Sequence, residues 1–171
     1  MILFLNNFEH LKMLHLCVTR FNNKTLKENQ SYREKNKIEG CLYPAPLKIG
    51  PLIPLQGILL IFEMNNQKNE IEGIGLIRNY LRMDKYYKVY SEGNYNRYTY
   101  KSPYRISRAE FDDDDHEFCK IIEVIVFKGY NHIKRGQGIQ KIPMKKVFNK
   151  VFKEKKLLDY ARDMFISRYH H

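Results

Sequence analysis

The sequence predicts an α+β domain, a curled mixed β-sheet or small barrel with peripheral helices, and three stretches of the 171-residue chain carry that expectation. The apolar runs 58–64 and 71–77 flank the polar stretch Asn65-Asn66-Gln67-Lys68-Asn69, the pattern of two antiparallel strands joined by a short turn. Residues 118–127, FCKIIEVIVF, are dense enough in β-branched side chains to favour a buried strand, although their length also admits a helix. Leu157, Leu158, Ala161, Met164 and Phe165 recur at helical spacing and define a C-terminal helical segment at about 144–168. The length suits a single domain over residues 1–171.

Taken in order, the first element is ambiguous: Phe8, Leu11, Leu14 and Val18 fit a helix, whereas Leu14, Leu16 and Val18 fit a strand. Residues 24–37 hold few large apolar anchors and read as a solvated loop or weak helix. Lys24, Lys27, Arg33, Lys35 and Lys37 make it a candidate phosphate-binding arm, while Glu28 and Glu34 dilute the local field and a plain surface loop is the alternative. Prolines at 44, 46, 51 and 54 exclude a helix through 41–54 and make it an extended strap into the hairpin. Leu42, Leu47, Ile49, Leu52, Ile53 and Leu55 are its expected core anchors. In the second hairpin strand, Gly73 and Gly75 share a face, which admits a close neighbour or marks a bulge. A short ribbon is expected around residues 91–94, interrupted at Ser102-Pro103 before another strand at 104–107.

Charge and aromatic content direct the functional reading. The chain carries 30 Lys and Arg against 19 Asp and Glu, a formal charge of +11 that favours a polyanionic partner. Residues 79–108 hold eight of the 13 tyrosines, interleaved with Lys and Arg. Aromatic faces stack on bases while cations meet phosphates; cross-strand packing is the structural alternative for these tyrosines. A second basic stretch, 128–156, has ten Lys or Arg and one acid, Glu154, and sets Lys134 and Arg135 before Gly136-Gln137-Gly138. The expected nucleic-acid contacts are Tyr95, Arg97, Tyr98, Arg105, Arg108, Lys134, Arg135 and Gln137. In this reading the cations hold phosphates, Tyr95 or Tyr98 stacks an unpaired base, and Gln137 reads a base edge.

Other chemistry is weaker. Asp112-Asp113-Asp114-Asp115 with His116 admits metal-assisted phosphodiester chemistry, but a solvated turn or helix start, with Asp113 or Asp115 as a cap, fits consecutive carboxylates better. Neither glycine pair completes a nucleotide-binding loop: 73–75 lacks the third glycine and 136–138 the lysine-serine sequel. A binding module is therefore expected rather than an enzyme, with no catalytic residue, metal or cofactor assigned. RNA or DNA is the expected partner, and a protein-interaction or assembly role is the alternative. Three widely spaced cysteines argue for a reducing, intracellular setting, cytoplasmic or nuclear. Without about 20 consecutive apolar residues, no transmembrane association is expected.

The run GILLIFEMNNQKNEIEGIGLIR at 57–78, YRISR at 104–108 and HIKRGQGI at 132–139 together resemble PUA-like domains, including the EVE branch and its YTH relatives. The resemblance implies a curved barrel with a pocket or groove that recognises nucleic acid, often a modified base. Those relatives commonly enclose the base with tryptophans; this chain has none, so tyrosines or phenylalanines would take that place.

Overall fold

The computed structural model describes residues 14–143 and 154–169. Their order is β1 (Leu14–Phe21), α1 (Asn23–Lys35), β2 (Cys41–Ala45), β3 (Ile58–Asn65), β4 (Glu70–Arg78), β5 (Tyr98–Ser102), β6 (Tyr104–Ser107), α2 (Asp113–Phe127), β7 (Gln140–Lys141) and α3 (Glu154–Tyr169). A mixed five-stranded sheet runs β6-β4-β3-β1-β7, with β1 parallel to β3 and the other pairs antiparallel. A separate antiparallel ribbon, β2-β5, packs on one face of it.

Strand alternation divides the core into two layers. Leu14, Leu16 and Val18 of β1, with Ile58, Leu60, Phe62 and Met64 of β3, meet α2 and α3. Cys17 and Phe21 of β1, with Leu59 and Ile61 of β3, face the ribbon instead. The expected hairpin forms, and a register shift between Phe62 and Met64 puts an irregularity opposite residues 71–74 of β4. That shift lets both Ile71 and Ile74 join the helix-side core although they are three positions apart.

The sheet does not close into a barrel among the described residues. The chain changes partners at Ser102-Pro103: β5 pairs with β2, and β6 returns to β4. Gly40 makes this corner possible, since a Cβ there would lie 2.5 Å from the Pro103 backbone. The sheet edges are four residues long at β6 and two at β7, lengths that give a closing strand little to pair with. The Tyr169 hydroxyl accepts from the backbone N–H of Arg105 at 3.0 Å and donates to the Arg105 carbonyl at 2.5 Å, sealing the β6 edge.

Residues 118–127 are helical, not a strand. Asp112 caps α2 by accepting from the backbone N–H of Asp115 at 2.8 Å, the Asp115 side chain returns the bond, and the acidic first turn complements the helix dipole. Phe118, Cys119, Ile122 and Val126 then form one buried stripe, and Val124 faces outward. Two-sided apolar content thus misleads about a helix that is buried on one side and only partly covered on the other. Residues 23–35 form a full helix because Asn22 and Thr25 make a reciprocal capping box. In the strap, Leu42, Ile49 and Ile53 are buried, whereas Leu47, Leu52 and Leu55 are exposed. The expected ribbon at 91–94 is a 3-10 turn over Gly93–Asn96, fixed by Asn96: its Oδ1 accepts from the N–H groups of Val89 and Tyr90. The lysines at 145, 146, 150 and 153 lie outside the described residues.

Candidate nucleic-acid interface

Parallel β1 and β3 end side by side, Phe21 opposite Asn65, and a cleft of about 270 Å³ opens beyond them. Its wall combines Arg20 from β1, the α1 cap, Pro44 of β2 and Pro46 just after it, Asn66 from the hairpin turn, Tyr90 and Tyr95, and Gln137-Gly138. Each piece is locally determined. Asn65 Oδ1 accepts from the N–H groups of Gln67 and Lys68, which folds the turn and sets Asn66 on the cleft wall. Tyr95 meets the edge of buried Tyr90 at 6.4 Å and 83°. The Tyr90 hydroxyl accepts from Asn29 Nδ2 at 3.2 Å, and Asn29 Oδ1 accepts from Arg33 Nε at 3.0 Å. Burial pushes the Tyr90 phenol up, so it remains neutral.

Two cleft amides differ in state. Asn66 Nδ2 donates to the Lys134 carbonyl at 2.9 Å, which fixes the amide's orientation, and its buried Oδ1 has no partner among the described residues. Arg20 Nη1 donates to the same carbonyl at 2.9 Å. Gln137 is exposed, and no hydrogen bond engages its side chain among the described residues. The cleft therefore presents one exposed amide, Gln137, that both donates and accepts, while the Asn66 Oδ1 is closed to solvent.

The sequence-predicted contacts separate into three groups. Tyr95 and Gln137 line the cleft; Lys134 stands beside it with Nζ 2.6 Å from Asn69 Oδ1, and exposed Arg135 follows it in the chain. Tyr98 lies at the end of β5, with Arg97 and Lys48 each 5.5 Å from its ring centroid. Arg105 and Arg108 are instead committed to the protein. Arg108 Nη1 donates to Glu123 at 2.9 Å and to the Ile71 carbonyl at 2.8 Å.

Arg105 makes a buried bidentate pair with Glu63, at 2.9 Å from Nε and 2.7 Å from Nη2. Tyr43 donates its hydroxyl to the same carboxylate at 2.8 Å. Burial alone would raise the Glu63 pKa, but the Arg105 charge and its hydrogen bonds outweigh it and hold the carboxyl below its ordinary value. The paired glycines make room for this group: a Cβ at Gly73 would sit 2.7 Å from Arg105 Nη2, and one at Gly75 would strike the Tyr43 hydroxyl. Only the close-approach half of the Gly73–Gly75 expectation concerns these two side chains, and here the neighbour is an ion pair.

Nucleophilic and metal chemistry find little support. All three cysteines are free and buried, and burial pushes each thiol up to about 12. Among the described residues, no group of three or more His, Cys, Asp and Glu side chains gathers to hold an ion. Within the acidic run, Asp115 is buried against α3, accepting from Tyr160 at 2.8 Å and pairing with Arg168. No helix among the described residues is long and apolar enough to cross a membrane.

Sequence reasoning missed Arg20 and Asn66. The Asn65-Asn66 pair signalled a turn, but where the Asn66 amide is held depends on the Lys134 carbonyl, 68 positions away. No protein-family model matches the chain, and neither a curated protein nor a solved structure matches it.

Proposed function

We propose that the chain is a non-enzymatic nucleic-acid-binding module that takes one unpaired base of RNA or single-stranded DNA into the cleft beside Tyr95. The observation that carries this reading is a cleft whose wall combines the Tyr95 ring with the exposed, unengaged Gln137 amide, with Lys134 beside it. A volume of about 270 Å³ falls just below that of typical drug-sized pockets, about 300–1,000 Å³, and suits a single base. Tyr95 stacks on that base, Gln137 reads its edge, and Lys134 and Arg135 hold the flanking phosphates. The sheet, open among the described residues, does not match the barrel that a PUA-like resemblance implies, so the reading stands on the cleft alone; an intracellular setting, cytoplasmic or nuclear, accommodates it.

A second reading, a protein-interaction domain, draws on the strap: Leu52 is 81% exposed and Leu55 84% exposed, beside 88% for Met83 further along. Fluorescence anisotropy of the folded protein with equal-length single- and double-stranded RNA and DNA, over a salt series, separates the two. Single strands are expected to bind more tightly than duplexes, with affinity falling as salt rises. Absence of binding to every nucleic acid at low salt would leave the protein-interaction reading standing.

A further inference from the structure

A second groove, of about 340 Å³, lies where β4 ends and β6 begins. Arg78, Arg82 and Lys101 supply three cations to its wall, Tyr80 and Tyr104 supply two rings, and no lining residue is acidic. The site is assembled from separate segments and is partly braced. Arg78 Nη1 reaches the Gln56 carbonyl at 3.5 Å, Arg82 Nε pairs with Asp84 at 3.2 Å from beside the groove, and the Tyr104 ring packs edge-on against Tyr169 at 5.1 Å. Tyr80 is 57% exposed, leaving ring surface for a stacking partner.

The groove is joined to the base cleft by β5. The Arg82 backbone N–H donates to the Thr99 carbonyl at 2.8 Å, Lys101 is exposed on the strand, and Tyr98 at its other end stands between Lys48 and Arg97. Beyond Tyr98 the ribbon meets the cleft through Pro44 and Pro46, since Pro44 pairs with Thr99. The five residues of β5 span about 13 Å at ~3.3 Å per residue, the length of about four stacked nucleotides at ~3.4 Å each.

We propose that this groove binds the sugar-phosphate backbone of the same single strand whose base enters the Tyr95 cleft, with Arg78, Arg82 and Lys101 on phosphates and Tyr80 against a base. The proposal rests on the nucleic-acid reading of the cleft and adds a second contact, along a track parallel to β5. It makes binding dependent on strand length, because an oligonucleotide too short to leave the cleft gains nothing from the groove.

The test uses labelled RNA of three and of twelve nucleotides in anisotropy titrations across a salt series, with the full chain and the triple variant Arg78→Gln/Arg82→Gln/Lys101→Gln. Three single-strand phosphate contacts contribute about 2 to the slope of log affinity against log salt. The variant is expected to lose about that much slope with the twelve-mer and to bind the three-mer unchanged, while Arg78→Lys/Arg82→Lys/Lys101→Arg keeps the original slope. A twelve-mer slope unaltered by the triple variant would overturn the groove and leave the cleft reading intact. Failure of the unaltered protein to bind either RNA would overturn both. Equal melting temperatures for the three proteins tie any loss to contact rather than to folding.

Discussion

The two faces of the five-stranded sheet are made by alternate residues of the same strands and are covered by opposite means. On the helix side, Leu60, Phe62 and Leu76 meet Phe118, Ile122 and Phe165 in an apolar layer, and the buried carboxylate of Asp115 is kept to its margin, at the start of α2. On the ribbon side, the same strands send Glu63, Gly73, Gly75 and Arg105 into the interface, and the layer is built around an ion pair. The helix side gains stability from area removed from water, with little need for a unique arrangement. The ribbon side depends on one geometry, because a buried pair stabilises only when its charges and hydrogen bonds are complete. Both the cleft and the groove open beside the ribbon, where backbone positions are held by directional contacts.

The strongest challenge to this comparison is Glu63→Gln. Breaking the pair strands the Arg105 charge and is expected to cost about 3–5 kcal/mol in urea denaturation, whereas Glu63→Leu/Arg105→Met together should recover most of it. If the single change costs no more than an exposed substitution, the ribbon side is not organised by this pair.

Acid sharpens the same point. The folded Glu63 pKa lies below its ordinary value of 4.5, so its contribution is fully present above that value and disappears as pH falls through the lower, folded pKa. Equilibrium unfolding followed from pH 6 to about pH 3 should show a loss that is reduced in Glu63→Gln. Matching acid profiles for the two proteins would assign the loss to other carboxylates.

Tyr95→Ala tests whether the cleft is separable from the frame. It should weaken single-strand binding by about 1–3 kcal/mol, measured by anisotropy, with only a modest loss of thermal stability, because Tyr95 is partly buried against Tyr90 at the margin of the ribbon-side core. The smallest expected effect is that of Gln137→Ala. Removing one exposed amide should cost about 0.5–1.5 kcal/mol in single-strand binding, by an amount that differs between uridine-only and adenosine-only strands. Equal losses for both would detach Gln137 from base reading.

Local pattern carried much of the fold and less of the site. The hairpin was legible because β3 and β4 are adjacent and separated by turn residues, and the C-terminal stripe through Leu157, Ala161 and Phe165 because it is regular. The helix at 113–127 was obscured by its Ile and Val content, although its Asp112–Asp115 box was in plain view among the four aspartates. The open sheet was beyond local reading, since closure depends on which partners the chain takes on either side of Ser102-Pro103. Chemistry alone singles out Tyr95 and Gln137, and the fold brings these two to one cleft; it also singles out Arg105 as a phosphate contact, because its partner Glu63 lies 42 positions away. Arg78, Arg82 and Lys101 drew no attention individually: each looks like an ordinary surface cation until three segments meet.

The parallel register of β1 with β3 also sets an order of assembly. Leu14 lies opposite Ile58 and Phe21 opposite Asn65, every pair 44 positions apart, while the β3-β4 hairpin closes over a few residues. Hairpins form in about 1–10 μs, but the loop-closure entropy of the long connection must be met before β1 gains any contact. Substitutions at Ile61 or Ile74 should therefore slow folding, whereas substitutions at Leu16 should chiefly hasten unfolding. The cleft needs Arg20 from β1, so on this expectation it forms after the β3-β4 hairpin.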